Sequence, residues 1–338
     1  MNSIVDDRTL TDLLKSFAIF TVLINHYVNI FISRSYTGLA YGFIALFFAL
    51  SGYGLFFSFE RQDKATISST LAFYLKRCLR IYPLYWVSLV ITAYTINNWE
   101  ILSTFLMPDA RTNIVYWFLN ALLQCYLVAP LLFYLVKKLN PFAYVILNTV
   151  VIIIINLSLL YSLPSDIIYI KYHSVRMGHL YLFALGMVIP RLTEINGTLA
   201  KRKSIVLISF LLFLFFVYAT RKTDTFFTNS GVFLSPLFFL STLFFCFSIL
   251  ANRFDISNTF YIKPILSIGV YSFSMYLFHL DYFRIVSLIP FVGDSMISRA
   301  LYIVAFFPLF FLICVLLEKT INLAMEPLRS GIVNQFEK

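Results

Sequence analysis

The sequence predicts an all-α, polytopic membrane protein of about ten transmembrane helices, with both termini in the cytoplasm. Three observations carry that expectation. First, 60% of the 338 residues are hydrophobic and only 12% are charged, whereas soluble globular proteins are about a quarter charged. Second, the apolar residues gather in ten spans, roughly 10–31, 38–59, 81–98, 114–136, 141–161, 176–192, 204–220, 231–251, 265–288 and 300–323. Most are close to the ~20 residues that cross the hydrocarbon core as a helix. Third, the basic residues are distributed unequally. With both termini cytoplasmic, 17 Lys and Arg fall on the cytoplasmic side and 8 on the other, as the positive-inside rule requires. The net charge of +10 then belongs to helix ends near anionic lipid, and no nucleic-acid partner is expected.

The N-terminus, MNSIVDDRTL, is acidic and lacks a basic n-region or a following small-residue cleavage site. The first span is therefore expected to stay as a signal anchor. From Asp12 to Asn29 it reads DLLKSFAIFTVLINHYVN, with Lys15 and His26 inside it. Ionisable residues in a membrane span are costly and point to function. Eleven residues carry a helix about 20° past three full turns, so Lys15 and His26 share one face about 16 Å apart, with Ile19 and Val22 between them. His26 is the leading catalytic candidate, because imidazole can take a proton from a hydroxyl or carry an acyl group briefly. The competing reading is a packing histidine; the in-line Lys15 favours function. Lys15 either snorkels to the interface or holds an anionic group entering from the cytoplasm.

The second span contains Ser51, Gly52, Tyr53 and Gly54. The glycines read as close helix packing, and Ser51 as a side chain lining a cavity. Ahead of the third span, FYLKRCLRIYPLYW holds Lys76, Arg77 and Arg80, with Pro83 placed in the span's first turn. Arg77 and Arg80, three apart, share a helix face and suit bidentate phosphate recognition; the same charges also serve topology. The short sixth and seventh spans read as tilted or broken. His173, near Arg176 and His179, falls in the outer loop. The ninth span, GVYSFSMYLFHLDYF, carries Gly269, Tyr271, Ser272, Tyr276, His279 and Asp281, a polar face expected to turn inward. His279 either orients His26, contacts substrate, or is a satisfied structural histidine.

Cys78, Cys125, Cys246 and Cys314 are scattered without ligand spacing, so neither a disulfide nor a metal is expected. HExxH, GxSxG, Walker A and GxGxxG are absent. Residues 1–323 read as one membrane domain and 324–338 as a short cytoplasmic tail, with no internal repeat.

Five of these segments, in order, resemble motifs of the acyltransferase 3 family of bacterial membrane O-acyltransferases. The first-helix D-x-L-R and later His are matched by Asp12, Leu14, Lys15 and His26. FFALSGYGLFF (47–57) is similar to its F-x-S-G helix. Arg77, Arg80, Ile81 and Pro83 match R-x-x-R-I-x-P. WFLNALLQCYLVAPLL (117–132) resembles W-x-L…Y-L-x-x-P. Gly269, Ser272, Tyr276 and His279 match the late G-x-x-S-x-x-x-Y-x-x-H helix. Two departures stand out: Lys15 replaces the usual Arg, which keeps charge and loses the planar fork, and Leu122 and Leu123 stand where many members have Glu. The family's fused extracytoplasmic hydrolase-like domain is not expected.

The resemblance implies transfer of an acyl group, most often acetyl, from cytoplasmic acyl-CoA to a sugar hydroxyl of a cell-surface or lipid-linked glycan at the bacterial inner membrane. Lys15, Arg77 and Arg80 would hold the CoA phosphates, the pantetheine arm would run along Ile19 and Val22, and His26 would act as base or acyl carrier. Asp12, Ser51 and His279 would support the site or the substrate. Acetyl-CoA, a glycan or lipid-linked sugar, and membrane lipid are the expected partners. The alternative from another class is a transporter of a glycan or small metabolite; a weaker one is a structural partner in a glycan-assembly complex.

Overall fold

In hydrocarbon a chain must satisfy its own backbone, and a helix does so within one segment. The computed structural model describes residues 8–31, 39–61, 66–108, 115–162, 167–200, 203–222, 231–252, 262–289 and 296–336. Among them are eleven α-helices, one 3₁₀ helix and no strand. The helices are α1 (Arg8–Phe31), α2 (Leu39–Glu60), α3 (Ile67–Thr95), α4 (Tyr116–Lys138), α5 (Pro141–Ser162), α6 (Ile167–Ala200), α7 (Lys203–Lys222), α8 (Gly231–Asn252), α9 (Lys263–Val270), α10 (Ser272–Ser287) and α11 (Met296–Phe336). Among the described residues, the ten apolar segments expected from the sequence lie largely on helix. By length and composition, four described helices can cross a membrane: Arg8–Ile30, Phe43–Glu60, Tyr116–Lys138 and Leu301–Ile332. Pro141–Ile155, Lys203–Tyr218 and Leu237–Leu250 are shorter apolar helices.

Glycines set the closest approaches. A Cβ on Gly52 would sit 2.0 Å from the Phe183 carbonyl oxygen, and one on Gly186 would sit 1.9 Å from that of Ala49. These two positions let α2 and α6 pack backbone to backbone. Gly269 does the same for α9 on α1, where a Cβ would meet the Asp12 carbonyl oxygen at 1.8 Å. Ser16 Oγ adds to that seam by donating to the carbonyls of Asp12 and Ile265. Gly54 differs from the packing expectation: it is exposed, and a Cβ there meets nothing within 4 Å.

The structure corrects four boundaries. α3 begins well before residue 81, at a capping box in which Thr66 and Ser69 satisfy each other's backbone N–H groups. Hydropathy marks the apolar part of a helix, whereas caps mark its start. Pro83 consequently lies inside α3 instead of in its first turn. Having no N–H, it cannot bond the carbonyl of Leu79, and Arg329 Nη2 on α11 donates to that carbonyl at 3.2 Å. The ninth span breaks at Tyr271 into α9 and α10. α11 continues through most of the expected tail, to Phe336, and residue 173 lies within α6 instead of in a loop.

The 3₁₀ helix, Trp99–Thr104, leads a connection that folds back along α3. Tyr85 OH, Trp86 Nε1 and Tyr82 OH donate to the carbonyls of Thr104, Phe105 and Leu106 at 2.8, 2.9 and 2.8 Å. Side-chain donors thus take carbonyls that no helix ladder pairs.

Candidate active site

The first turns of α1, the second half of α2, the middle of α3, the first half of α4 and the α9–α10 break enclose a cavity of about 420 Å³. Its walls bring together Asp12, Lys15, Ser51, Arg77 and Arg80, five of the seven residues singled out in the sequence, and add Arg8 and Arg61. A neighbouring cavity of about 380 Å³ shares Arg61, Arg77 and Arg80 and adds Lys76 and Arg329. Seven basic side chains therefore face two adjoining chambers. Opposite charge is scarce: Lys15 Nζ donates to Asp12 Oδ1 at 2.9 Å, with both side chains partly exposed. The Arg77 guanidinium lies 5.5 Å from the Phe73 ring centroid and 5.4 Å from that of Tyr126. Flat aromatic faces hold its planar fork on the cavity wall.

His26 does not line the cavity. It sits deeper on α1, where its ring centroid is 4.8 Å from that of His279 on α10. His279 is fully buried, and its Nδ1 lies 2.7 Å from the Tyr276 carbonyl oxygen. A carbonyl only accepts, so in the neutral ring Nδ1 carries the proton and Nε2 presents a lone pair. That Nε2 has no hydrogen-bond partner. Tyr276 connects the two regions: it lines the cavity, and its ring centroid is 5.5 Å from that of His279. Ile19 and Val22, expected to flank an open track, are fully buried by neighbouring helices. The cavity reaches toward the histidines beside Tyr276 instead.

Tyr276 thus joins the basic chamber to the paired imidazoles. A model of the acyltransferase 3 family, described as an acyltransferase domain, matches residues 11–319. The chain belongs to this family. No curated protein and no solved structure matches it. The match spans nearly the whole chain, and with the apolar helices it makes the protein a membrane acyltransferase.

The acyltransferase also holds a polar group around Asp281, which the sequence placed on an inward polar face without giving it a role, on the other side of α10 from His279. Asp281 is 1% exposed. Its Oδ2 accepts from Thr92 Oγ1 at 2.8 Å, and its Oδ1 from Thr95 Oγ1 at 2.7 Å and Arg284 Nη1 at 2.8 Å. Tyr116 OH donates to Thr92 Oγ1 at 3.2 Å and lies 3.2 Å from Ser88 Oγ. Nearer the cavity end of α10, Ser274 Oγ donates to the buried Glu318 of α11 at 2.7 Å.

Sequence reasoning missed Arg8, Arg61 and Arg329 as site residues, because each reads as a topology charge until four helices bring them together. His179, buried between Phe48 and Trp117 with ring centroids 4.4 and 5.0 Å away, packs against aromatics. Among the described residues, no group of three or more His, Cys, Asp or Glu is placed to hold a metal ion.

Proposed function

We propose that this acyltransferase moves an acetyl group from cytoplasmic acetyl-CoA to a sugar hydroxyl of a cell-surface or lipid-linked glycan. It would work in the bacterial inner membrane, as a multi-pass protein with both termini cytoplasmic. The observation that carries this reading is the arrangement along α1: Lys15 in the basic chamber, and His26 against His279 deeper in the same helix. The CoA phosphates are matched by Lys15, Arg77 and Arg80, with Arg8, Arg61, Lys76 and Arg329 around them. Arg suits phosphate through its bidentate fork, and Lys through a compact charge. The pantetheine arm passes Tyr276 toward the histidines. Family membership favours transfer chemistry over the transport alternative.

His26 acts as the base. The acceptor hydroxyl gives its proton to the lone-pair nitrogen of His26 while its oxygen bonds to the thioester carbonyl carbon. The tetrahedral adduct then collapses, the carbon–sulfur bond breaks, and the sulfur takes the proton from the imidazolium. An ester and a free thiol result. His279 Nε2 can accept an N–H of the imidazolium, an interaction that strengthens only when charge appears on His26, and so favours the transition state over the ground state.

Membrane vesicles given radiolabelled acetyl-CoA test this. Glycan labelling is lost in His26→Ala, and Lys15→Ala raises KM for acetyl-CoA. Full glycan labelling by His26→Ala would overturn the role of this site. Altered glycan acceptance with unchanged acetyl-CoA affinity in Lys15→Ala would overturn the phosphate anchor.

A further inference from the structure

Buried polar atoms in proteins are paired, because one left bare costs about 1–3 kcal/mol. Around His26 three side-chain atoms break this rule: Asn25 Oδ1, Asn29 Oδ1 and His279 Nε2. Asn25 is only 8% exposed and His279 is fully buried. On α1, Asn25 directly precedes His26, and Asn29 follows it by three positions. Asn25 and Asn29 are four apart, which makes them neighbours on the helix surface. The two amides thus share a strip of α1 next to the one that carries His26, one residue before it and three after, and Asn29 stands about one turn further from Lys15 and its chamber.

The Asp281 group shows that this bundle can satisfy a buried polar side chain completely when the role is structural. The same economy fails at Asn25, Asn29 and His279, on the two helices that carry the paired imidazoles, and Asn29 lies beyond His26 as seen from the basic chamber. A primary amide offers an oxygen acceptor and two N–H donors. Two amides one turn apart suit a ligand that carries several hydroxyls, each both donor and acceptor. They suit an acyl chain or a lone ammonium poorly, since an acyl chain has nothing to donate and an ammonium nothing to accept.

We infer that Asn25 and Asn29 form the acceptor subsite, binding neighbouring hydroxyls of a polyhydroxylated acceptor so that one hydroxyl faces His26. This rests on the transfer reading above. In the proposed orientation Asn29 lies toward the outer half of the membrane, on the side of His26 away from the donor.

The test uses the full chain in membrane vesicles, with radiolabelled acetyl-CoA as donor and a glycan extract of the same cells as added acceptor. Wild type is compared with Asn25→Leu and Asn29→Leu. Each substitution is expected to raise KM for the glycan about tenfold, the equivalent of one lost hydrogen bond. KM for acetyl-CoA, and the slow release of CoA thiol without acceptor, should stay within about twofold. Thermal stability in detergent should hold or rise, because each substitution removes a bare polar atom. An unchanged glycan KM overturns the subsite. So does lower stability with equal losses toward donor and acceptor, which would mark the amides as structural. Wild-type vesicles that release thiol yet label no glycan would instead remove the glycan-transfer reading itself, and the subsite with it.

Discussion

α10 presents two polar faces, and they differ in completeness. His279 and Asp281 are two positions apart, which puts them on opposite sides of a helix. Toward α3, both Asp281 oxygens are occupied by Thr92, Thr95 and Arg284, and the chain of hydroxyls continues to Tyr116 and Ser88. Toward α1, His279 Nε2 has no partner and its ring lies against a second imidazole, on a helix where the Asn25 and Asn29 amide oxygens are also bare. A saturated network ties helices together and has nothing left to offer a ligand. An unsaturated one is costly in the empty protein and recovers that cost when substrate arrives. One helix thus presents a saturated face and an unsaturated one, and on the transfer reading proposed above only the second meets substrate.

The largest expected effect comes from the unsaturated face. His26→Ala should lower acetyl transfer about 10³-fold, the middle of the range for a positioned general base, while thermal stability in detergent falls by only ~1 kcal/mol, the typical cost of a point substitution. Rate per folded molecule is the measurement, and a stability loss large enough to explain the rate would erase the contrast. Asp281→Ala should show the reverse pattern. Removing the carboxylate strands Arg284, Thr92 and Thr95. Fully buried pairs cost about 3–5 kcal/mol when broken, but the Arg284 side chain is 36% exposed, so about 2 kcal/mol is expected. Transfer per folded molecule should stay within a few-fold. A milder change probes the chamber: Arg77→Lys keeps the charge and loses the fork and the aromatic seat between Phe73 and Tyr126. It should raise KM for acetyl-CoA about fivefold, the equivalent of ~1 kcal/mol, with little change in kcat.

What the sequence could reveal follows from which forces act locally. The helices were legible because apolar runs must become helices in hydrocarbon. The shared face of Lys15 and His26 was legible because helical spacing is arithmetic. The start of α3 was not legible from hydropathy, since the cap at Thr66 lies in a polar stretch outside the apolar span. The second role of Pro83 was hidden as well: the carbonyl it frees on Leu79 is taken by Arg329, some 250 residues away in the chain. Arg8, Arg61 and Arg329 looked like topology charges until packing set them around one chamber. Asn25 and Asn29 carried no signal at all, because being unpartnered is a property of the neighbouring helices and not of the residue.

The smallest expected effect sets the finest test of the two-faced helix. Thr95→Val removes one of three donors to Asp281 and keeps the side-chain shape. Asp281 retains Thr92 and Arg284, and Thr95 itself is half-buried near the end of α3, where water can replace its hydroxyl. Hydrogen bonds between membrane helices average about 0.6 kcal/mol in double-mutant cycles, so a stability loss of that size is expected. Combined with Asp281→Ala, the second substitution should cost almost nothing more, because the partner it served is already gone. Acetyl transfer should not change. A tenfold fall in kcat at unchanged stability would mean that the α3 side of α10 also reaches the reacting groups, and the division between its faces would have to be abandoned.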